Sequence, residues 1–194
     1  ARDQALVQAR QLTRLSAHTI RAIHRSESDQ AHALLSDARE IVSELKNNLA
    51  DFPDLYFAGY TQDAIKEFAE ASATCALIEN IDLPDPVELG IETSTYINGL
   101  AEAIGELRRR CLDILRQGYS EEAERLLGEM DEIYNFLVTM DYPDAVTNGL
   151  RRQTDLARGI IERTRADLTL SLREQHLQQA LREFASQFPT AKSE

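Results

Sequence analysis

Residues 28–49 read SDQAHALLSDAREIVSELKNNL, with apolar positions at Leu34, Leu35, Ala38, Ile41, Val42, Leu45 and Leu49. Steps of three and four put these side chains on one face of a helix and the charged residues on the other. The period-2 runs of Val, Ile and Thr that mark strands are absent, here and elsewhere. Residues 1–52 contain neither glycine nor proline, and the whole 194-residue chain has only eight glycines and five prolines. A chain so poor in breakers and so rich in good helix formers predicts an all-α fold. Its length suits one domain spanning 1–194, large enough to bury a core.

Working outward, the breakers divide the chain into about seven helices. The first runs to about Arg25 and stops at Ser26-Glu27-Ser28, with Ser28 as the expected N-cap of the second. A loop over 51–60 precedes a third helix from about Thr61 to Glu79, which Asp82-Leu83-Pro84-Asp85-Pro86 closes off. The fourth, from about Glu92 to Gln117, carries Ile97, Leu100, Ile104, Leu107, Cys111 and Ile114 on one stripe. The fifth, after Gly118, carries Ala123, Leu126, Leu127, Met130, Ile133, Tyr134 and Leu137. Asp141-Tyr142-Pro143 opens a sixth that runs to about Arg173, roughly 45 Å long. A short seventh ends before Pro189. The sixth helix exceeds what a compact domain needs, and its apolar positions Leu150, Ala157, Ile161, Leu168 and Leu172 continue nearly to its end. Its far end is expected to pack on another subunit.

No stretch approaches the roughly 20 apolar residues of a membrane span, and no secretory leader pattern is visible, so a cytoplasmic protein without a membrane partner is expected. Cys75 and Cys111 sit on apolar stripes without CxxC spacing, which predicts buried free thiols in a reducing compartment. The net charge of −12 argues against coating a nucleic acid with the whole surface. The distribution is uneven, however. Residues 1–25 hold five arginines against one acid, a local charge of +4, leaving −16 for the rest.

Two groups of residues can carry chemistry. On the third predicted helix, Asp63, Glu67 and Glu70 share a face beside the apolar positions Ile65, Phe68, Ser72 and Cys75. On the fourth, Glu102 and Glu106 flank the apolar stripe one turn apart. Acids next to core-facing stripes on two helices can meet at a helix–helix seam, where hard oxygen donors suit Mg²⁺ or Mn²⁺. Such an ion polarises a phosphodiester and lowers the pKa of water. Spacing alone favours ordinary solvated helix faces, since the chain has 33 acids to place and such pairs are common. The second group is Arg14, His18, Arg21 and Arg25 on the first helix, a basic stripe with no acid on it that can follow phosphates. A solvated or interface face is the alternative there too. Arg108-Arg109-Arg110 either stabilises phosphate charge or pairs with surplus acid. Arg151, Asp155, Arg158, Glu162 and Arg165 alternate in sign and predict a salt-bridged face. His18, His24, His32 and His176 form no ExxH or HxxxH pair, which disfavours a di-iron site. Phosphate-loop and nucleophile-elbow motifs are missing.

Several ordered stretches resemble prokaryotic members of the translin family: Ile20–Arg25 (IRAIHR), Leu55–Ala71 (LYFAGYTQDAIKEFAEA), Gly99–Arg108, and Asp141–Val146 with Gly149–Arg152. The resemblance spans about residues 10–175. It implies a seven-helix subunit that assembles into a hollow shell, usually an octamer. Within the family, translin binds single-stranded RNA and DNA. Translin-associated factor X is the catalytic subunit of a Mg²⁺-dependent endoribonuclease acting on small RNAs. The acid-xx-acid and acid-xxx-acid motifs of that catalytic branch fall here on Glu67 and Glu70, then on Glu102 and Glu106. One departure is that the branch has Asp where Glu102 stands, one methylene shorter. The arginine-rich loop of translin has no clear counterpart.

The resulting expectation is a Mg²⁺- or Mn²⁺-dependent endoribonuclease for short single-stranded RNA that also binds single-stranded DNA. Two alternatives stay open: a binding-only oligomer, and an all-α nucleotide pyrophosphatase, which also pairs carboxylates on two helices but whose second pair is usually ExxD.

Overall fold

The computed structural model describes residues 1–187, and all the regular structure among them is helical. Six long helices are α1 (Arg2–His24), α2 (Ser28–Asn48), α4 (Gly59–Glu79), α6 (Thr93–Leu115), α7 (Glu121–Val138) and α9 (Leu150–Ser186). Three single turns sit between them: α3 (Pro53–Tyr56), α5 (Pro86–Leu89) and α8 (Asp144–Thr147). Proline begins α3 and α5, where its missing N–H costs no hydrogen bond. Asp85 and Glu88 close a reciprocal capping box on α5.

Helix α4 lies at the centre, packed between α1 and α2 on one side and α6 on the other; α7 and α9 cover the far side of α6. The sequence predicts one apolar face for this helix, yet the structure buries most of its circumference, from Ala64 and Ile65 through Phe68, Ala69, Ala71, Ala73 and Cys75. Its many alanines are what permit this, because small side chains let neighbouring helices come close on several sides. The closest approach is at Gly99 of α6. A Cβ there would stand 2.7 Å from Ala69 Cβ and 2.8 Å from the Lys66 carbonyl oxygen. This glycine therefore brings α6 against α4 in the turn that carries Lys66, Glu67 and Glu70.

The apolar stripes expected on α2, α6 and α7 are the buried ones. Ala38, Ile41, Val42, Leu45 and Leu49 face the core, as do Ile97, Leu100, Ile104, Leu107, Cys111, Leu126, Met130, Ile133 and Leu137. Both cysteines are buried free thiols. No helix among the described residues is long and apolar enough to cross a membrane.

The predicted boundaries need three corrections. Ser28 is the first residue of α2 rather than its cap, which is Glu27 and makes no side-chain capping bond. The sixth predicted helix does not start at Pro143. That proline precedes only the single turn α8, after which Asn148 and Gly149 adopt the left-handed conformation and α9 begins afresh at Leu150. The sixth and seventh predicted helices are one. Nothing between Gly159 and Ser186 breaks the chain, so α9 runs 37 residues; the expected stop at Pro189 lies outside the described residues.

Helix α9 packs on the bundle through Leu150, Ala157, Ile161, Thr164 and Leu168, and every residue from 173 to 187 is exposed. Leu170, Leu177 and Leu181 are each about 60% exposed. At 100° per residue they fall on the side opposite Ile161 and Leu168. The overlong helix thus carries an outward apolar row beyond the subunit's own core.

Candidate metal centre and nucleic-acid interface

Three of the four predicted acids meet. One carboxylate oxygen from each of Glu67, Glu70 and Glu102 lies within 4.8 Å of the others, at the seam between α4 and α6. An octahedral Mg²⁺ with bonds of about 2.1 Å spaces opposite ligand oxygens about 4.2 Å apart. Three hard donors within 4.8 Å of one another can close on such an ion by moving their carboxylate oxygens inward. All three residues are half-buried. Asp63, which shares their helical face in sequence, stays exposed and outside the group.

The charges at this seam are unevenly compensated. Glu102 Oε1 accepts hydrogen bonds from Lys66 Nζ and from Gln153 Nε2 of α9, both at 2.8 Å. Glu67 and Glu70 form no ion pair among the described residues. Burial, and then the charges of Glu67, Glu102 and Glu106, push the Glu70 carboxyl from 4.5 up to about 8. Burial followed by Glu102 raises Glu67 as well. Two acids that resist ionisation beside a third carboxylate make a place where a cation relieves repulsion.

Glu106 stands at the edge. It is not in the converging trio, yet its charge reaches Glu67 and Glu70 and helps raise both. Its Oε2 is 2.6 Å from His24 Nε2, a contact between α6 and the last residue of α1, and accepts a longer 3.4 Å bond from Arg109. The His24 hydrogen bond is the main reason that Glu106 ionises more easily than a free carboxyl.

Sequence reasoning singled out neither His24, Lys66 nor Gln153 for the site. A signal for His24 is present: it follows Ile20 and Ile23, both buried, so its side chain is directed inward, unlike Arg21 and Arg25. Lys66 is the one cation between Glu67 and the buried Ile65. Gln153 has no such signal, because its part depends on how α9 crosses α6.

The triple arginine divides by helical geometry. Arg108 reaches Thr164 and Asp167 on α9, Arg109 pairs with Glu106, and Arg110 donates to the His24 carbonyl oxygen. All three make structural pairings. On α9, Arg158 pairs with Glu162 one turn on, whereas Arg165 and Arg151 reach Asp131 and Asp141 outside the helix. Arg14, His18, Arg21 and Arg25 are all exposed, and none forms an ion pair among the described residues. His18, Arg21 and Arg25 line a shallow groove with Glu27 and Gln30 between α1 and α2.

No protein-family model matches the chain. It is 36% identical over 183 residues to an uncharacterised protein of Methanocaldococcus jannaschii, covering 93% of this chain and 81% of that one. Among solved structures it is similar to AfC3PO in complex with duplex RNA: 32% identity, TM-score 0.83, with 89% of this chain and 90% of that chain covered. A crystal structure of AfC3PO gives 32% identity and a TM-score of 0.79 over 90% of each chain. Apo-NeC3PO, 20% identical with a TM-score of 0.80 over 88% of this chain and 89% of that one, shares the fold. C3PO is the complex of translin and translin-associated factor X. With the ordered motifs, the helical architecture and a 32% identical relative covered nearly end to end, this chain belongs to the translin family.

Proposed function

We propose that this protein is a metal-dependent endoribonuclease that cuts short single-stranded RNA within an oligomeric shell and also binds single-stranded DNA. The observation that carries the reading is the meeting of Glu67, Glu70 and Glu102 from two helices in a half-buried seam, where burial and one another's charge raise Glu67 and Glu70 above the usual carboxylate range despite the nearby Lys66. Translin, which resembles this chain elsewhere, is not acidic across these positions, so the seam favours the catalytic branch.

In this reading Glu67, Glu70 and Glu102 hold Mg²⁺ or Mn²⁺, with Glu106 completing the set. A bound divalent ion supplies positive charge that polarises a phosphodiester and lowers the pKa of water. Lys66 and Gln153 keep Glu102 at the α4–α6 seam. Arg14, His18, Arg21 and Arg25 contact the phosphates, since none of them forms an ion pair among the described residues, although Glu27 lines the same groove. The outward row Leu170, Leu177 and Leu181 on α9 meets a neighbouring subunit, as expected for an octameric shell of cytoplasmic translin-like proteins. A closed shell reconciles a net charge of −12 with an RNA ligand, because basic stripes can face the cavity and acids the outside.

The test is cleavage of labelled single-stranded RNA by a size-purified oligomer in Mg²⁺ and in EDTA, with duplex RNA and single-stranded DNA alongside. Cutting of the single strand only with Mg²⁺ supports the proposal. Binding without cutting in either condition makes the protein a passive binder. Release of pyrophosphate from nucleoside triphosphates identifies a pyrophosphatase instead.

A further inference from the structure

Glu106 and Glu102 are held in the same way. Each accepts two hydrogen bonds on a single carboxylate oxygen and none on the other among the described residues: Glu102 through Oε1, from Lys66 and Gln153, and Glu106 through Oε2, from His24 and Arg109. One oxygen of each carboxylate is thereby fixed and the other left available as a donor.

For Glu106 the principal holder is unusual. The His24 side chain is only 4% exposed, comes from a residue 82 positions away, and makes the 2.6 Å contact at the shortest distance of any ion pair involving these acids. Its backbone is gripped by the same helix, since Arg110 Nη1, one turn beyond Glu106, donates to the His24 carbonyl oxygen at 3.4 Å. Its Nδ1 is buried with no hydrogen-bond partner among the described residues. Burying a polar ring with one nitrogen unsatisfied costs stability that an apolar residue would not. Among the described residues, Glu106 is the one side chain that His24 contacts by a hydrogen bond.

We propose that His24 is a positioning residue for the cation site: it fixes Glu106 through Oε2 so that Oε1 serves as the fourth carboxylate donor beside Glu67, Glu70 and Glu102. The proposal rests on the reading of the α4–α6 seam as a metal centre. It adds that α1, whose outer face carries Arg21 and Arg25, reaches that centre through its inner face. Outer partners that orient metal ligands typically change metal affinity by about 10- to 100-fold when lost.

The experiment measures Mn²⁺ affinity by electron paramagnetic resonance of the free ion, on the intact oligomer without RNA. Wild type is compared with Glu70→Gln, His24→Leu, His24→Asn and His24→Gln. Leucine removes the hydrogen bond at similar volume. Asparagine is polar but too short to reach Glu106, and keeps the test valid if the leucine variant fails to fold. Glutamine places an amide donor near the former Nε2. The expected result is that Glu70→Gln loses Mn²⁺, that His24→Leu and His24→Asn bind it about 10-fold or more weakly, and that His24→Gln recovers most of the loss. Wild-type affinity in both His24→Leu and His24→Asn overturns the positioning role while leaving the metal centre intact. Equal weakening in His24→Gln overturns it too, because packing rather than the hydrogen bond would then matter. Absence of Mn²⁺ binding by wild type itself removes the metal centre and this inference with it.

Discussion

Glu70 and Glu106 carry the same carboxyl group at the same helix–helix seam, and their surroundings drive them in opposite directions. Burial and three neighbouring acids raise Glu70 to about 8, while His24 and Arg109 hold Glu106 below the usual range. The difference lies in which helix each one faces. Glu106 meets the inner end of α1, which supplies a buried imidazole. Glu70 lies where Gly99 brings α6 close to α4, and its neighbours include the carboxylates of Glu67, Glu102 and Glu106. One side of the seam is therefore a braced acid that ionises readily, and the other a pair of acids whose mutual repulsion outweighs the nearby Lys66.

The largest expected effect is on cleavage, and it should erase the difference between the two residues. Glu106→Gln and Glu70→Gln should each lower the cleavage rate by about 10²-fold or more, as for other groups that stabilise transition-state charge. Full activity in the Glu106→Gln variant would restrict the centre to the trio.

Gly99→Ala attacks the geometry that sets up the contrast. A methyl group 2.7 Å from Ala69 Cβ must push α6 away from α4. Overpacking of this kind costs about 1–3 kcal/mol in thermal or denaturant unfolding. The same variant should lose Mg²⁺-induced stabilisation, since Glu102 moves with α6. A Gly99→Ala protein with wild-type melting and an intact Mg²⁺ shift would mean that the seam tolerates spreading.

Metal-free stability should separate the two acids by sign. Repulsion alone predicts that removing any charge of the cluster stabilises the fold; the His24 and Arg109 contacts exclude Glu106 from that rule. Glu106→Gln should cost about 1 kcal/mol, because the amide oxygen still accepts from His24 but without the charge that strengthens the bond. Glu70→Gln should instead raise the melting temperature at pH 8. The pH dependence follows the same division. Between 4.5 and about 8 the unfolded chain has released the Glu70 proton and the folded chain retains it, so Glu70 makes stability fall as pH rises through that window. Glu106, with a lowered folded value, contributes stability above 4.5 that is lost as pH falls through its folded pKa. Melting curves of wild type and both variants in EDTA from pH 4 to pH 9 check this. Parallel pH profiles for the two variants would refute the contrast.

The smallest effect concerns the outer face of α1. Charge reversal at Arg21 and Arg25 should weaken RNA binding and lower the salt slope by about 0.7 for each phosphate contact removed from a single strand. An unchanged slope would make the stripe a solvated face.

How far the sequence reached follows from what kind of contact each feature needs. The apolar stripes of α2, α6 and α7 were legible because burial of one helix face depends on local periodicity. Glu67, Glu70 and Glu102 were legible as candidates because they flank core-facing stripes and also fall on the family's acid-xx-acid and acid-xxx-acid motifs; position beside the stripe did not by itself separate them from Asp63, which stays exposed. Their company was not: Gln153 reaches Glu102 from 51 residues away and His24 reaches Glu106 across 82. Helix ends also misled where local signals conflicted. Pro143 looked like a start, but the left-handed Asn148 and Gly149 reset the chain, and the absence of any later breaker merged two expected helices into α9.

The most direct test of the metal-centre claim is the rate of single-stranded RNA cleavage against Mg²⁺ concentration for wild type and Glu70→Gln, both purified as the same oligomer. A cation held by Glu67, Glu70 and Glu102 predicts saturable Mg²⁺ dependence in wild type, no cutting in EDTA, and a Glu70→Gln rate lower by about 10²-fold at every Mg²⁺ concentration. Cleavage by Glu70→Gln at the wild-type rate, or wild-type cleavage that persists in EDTA, would contradict it.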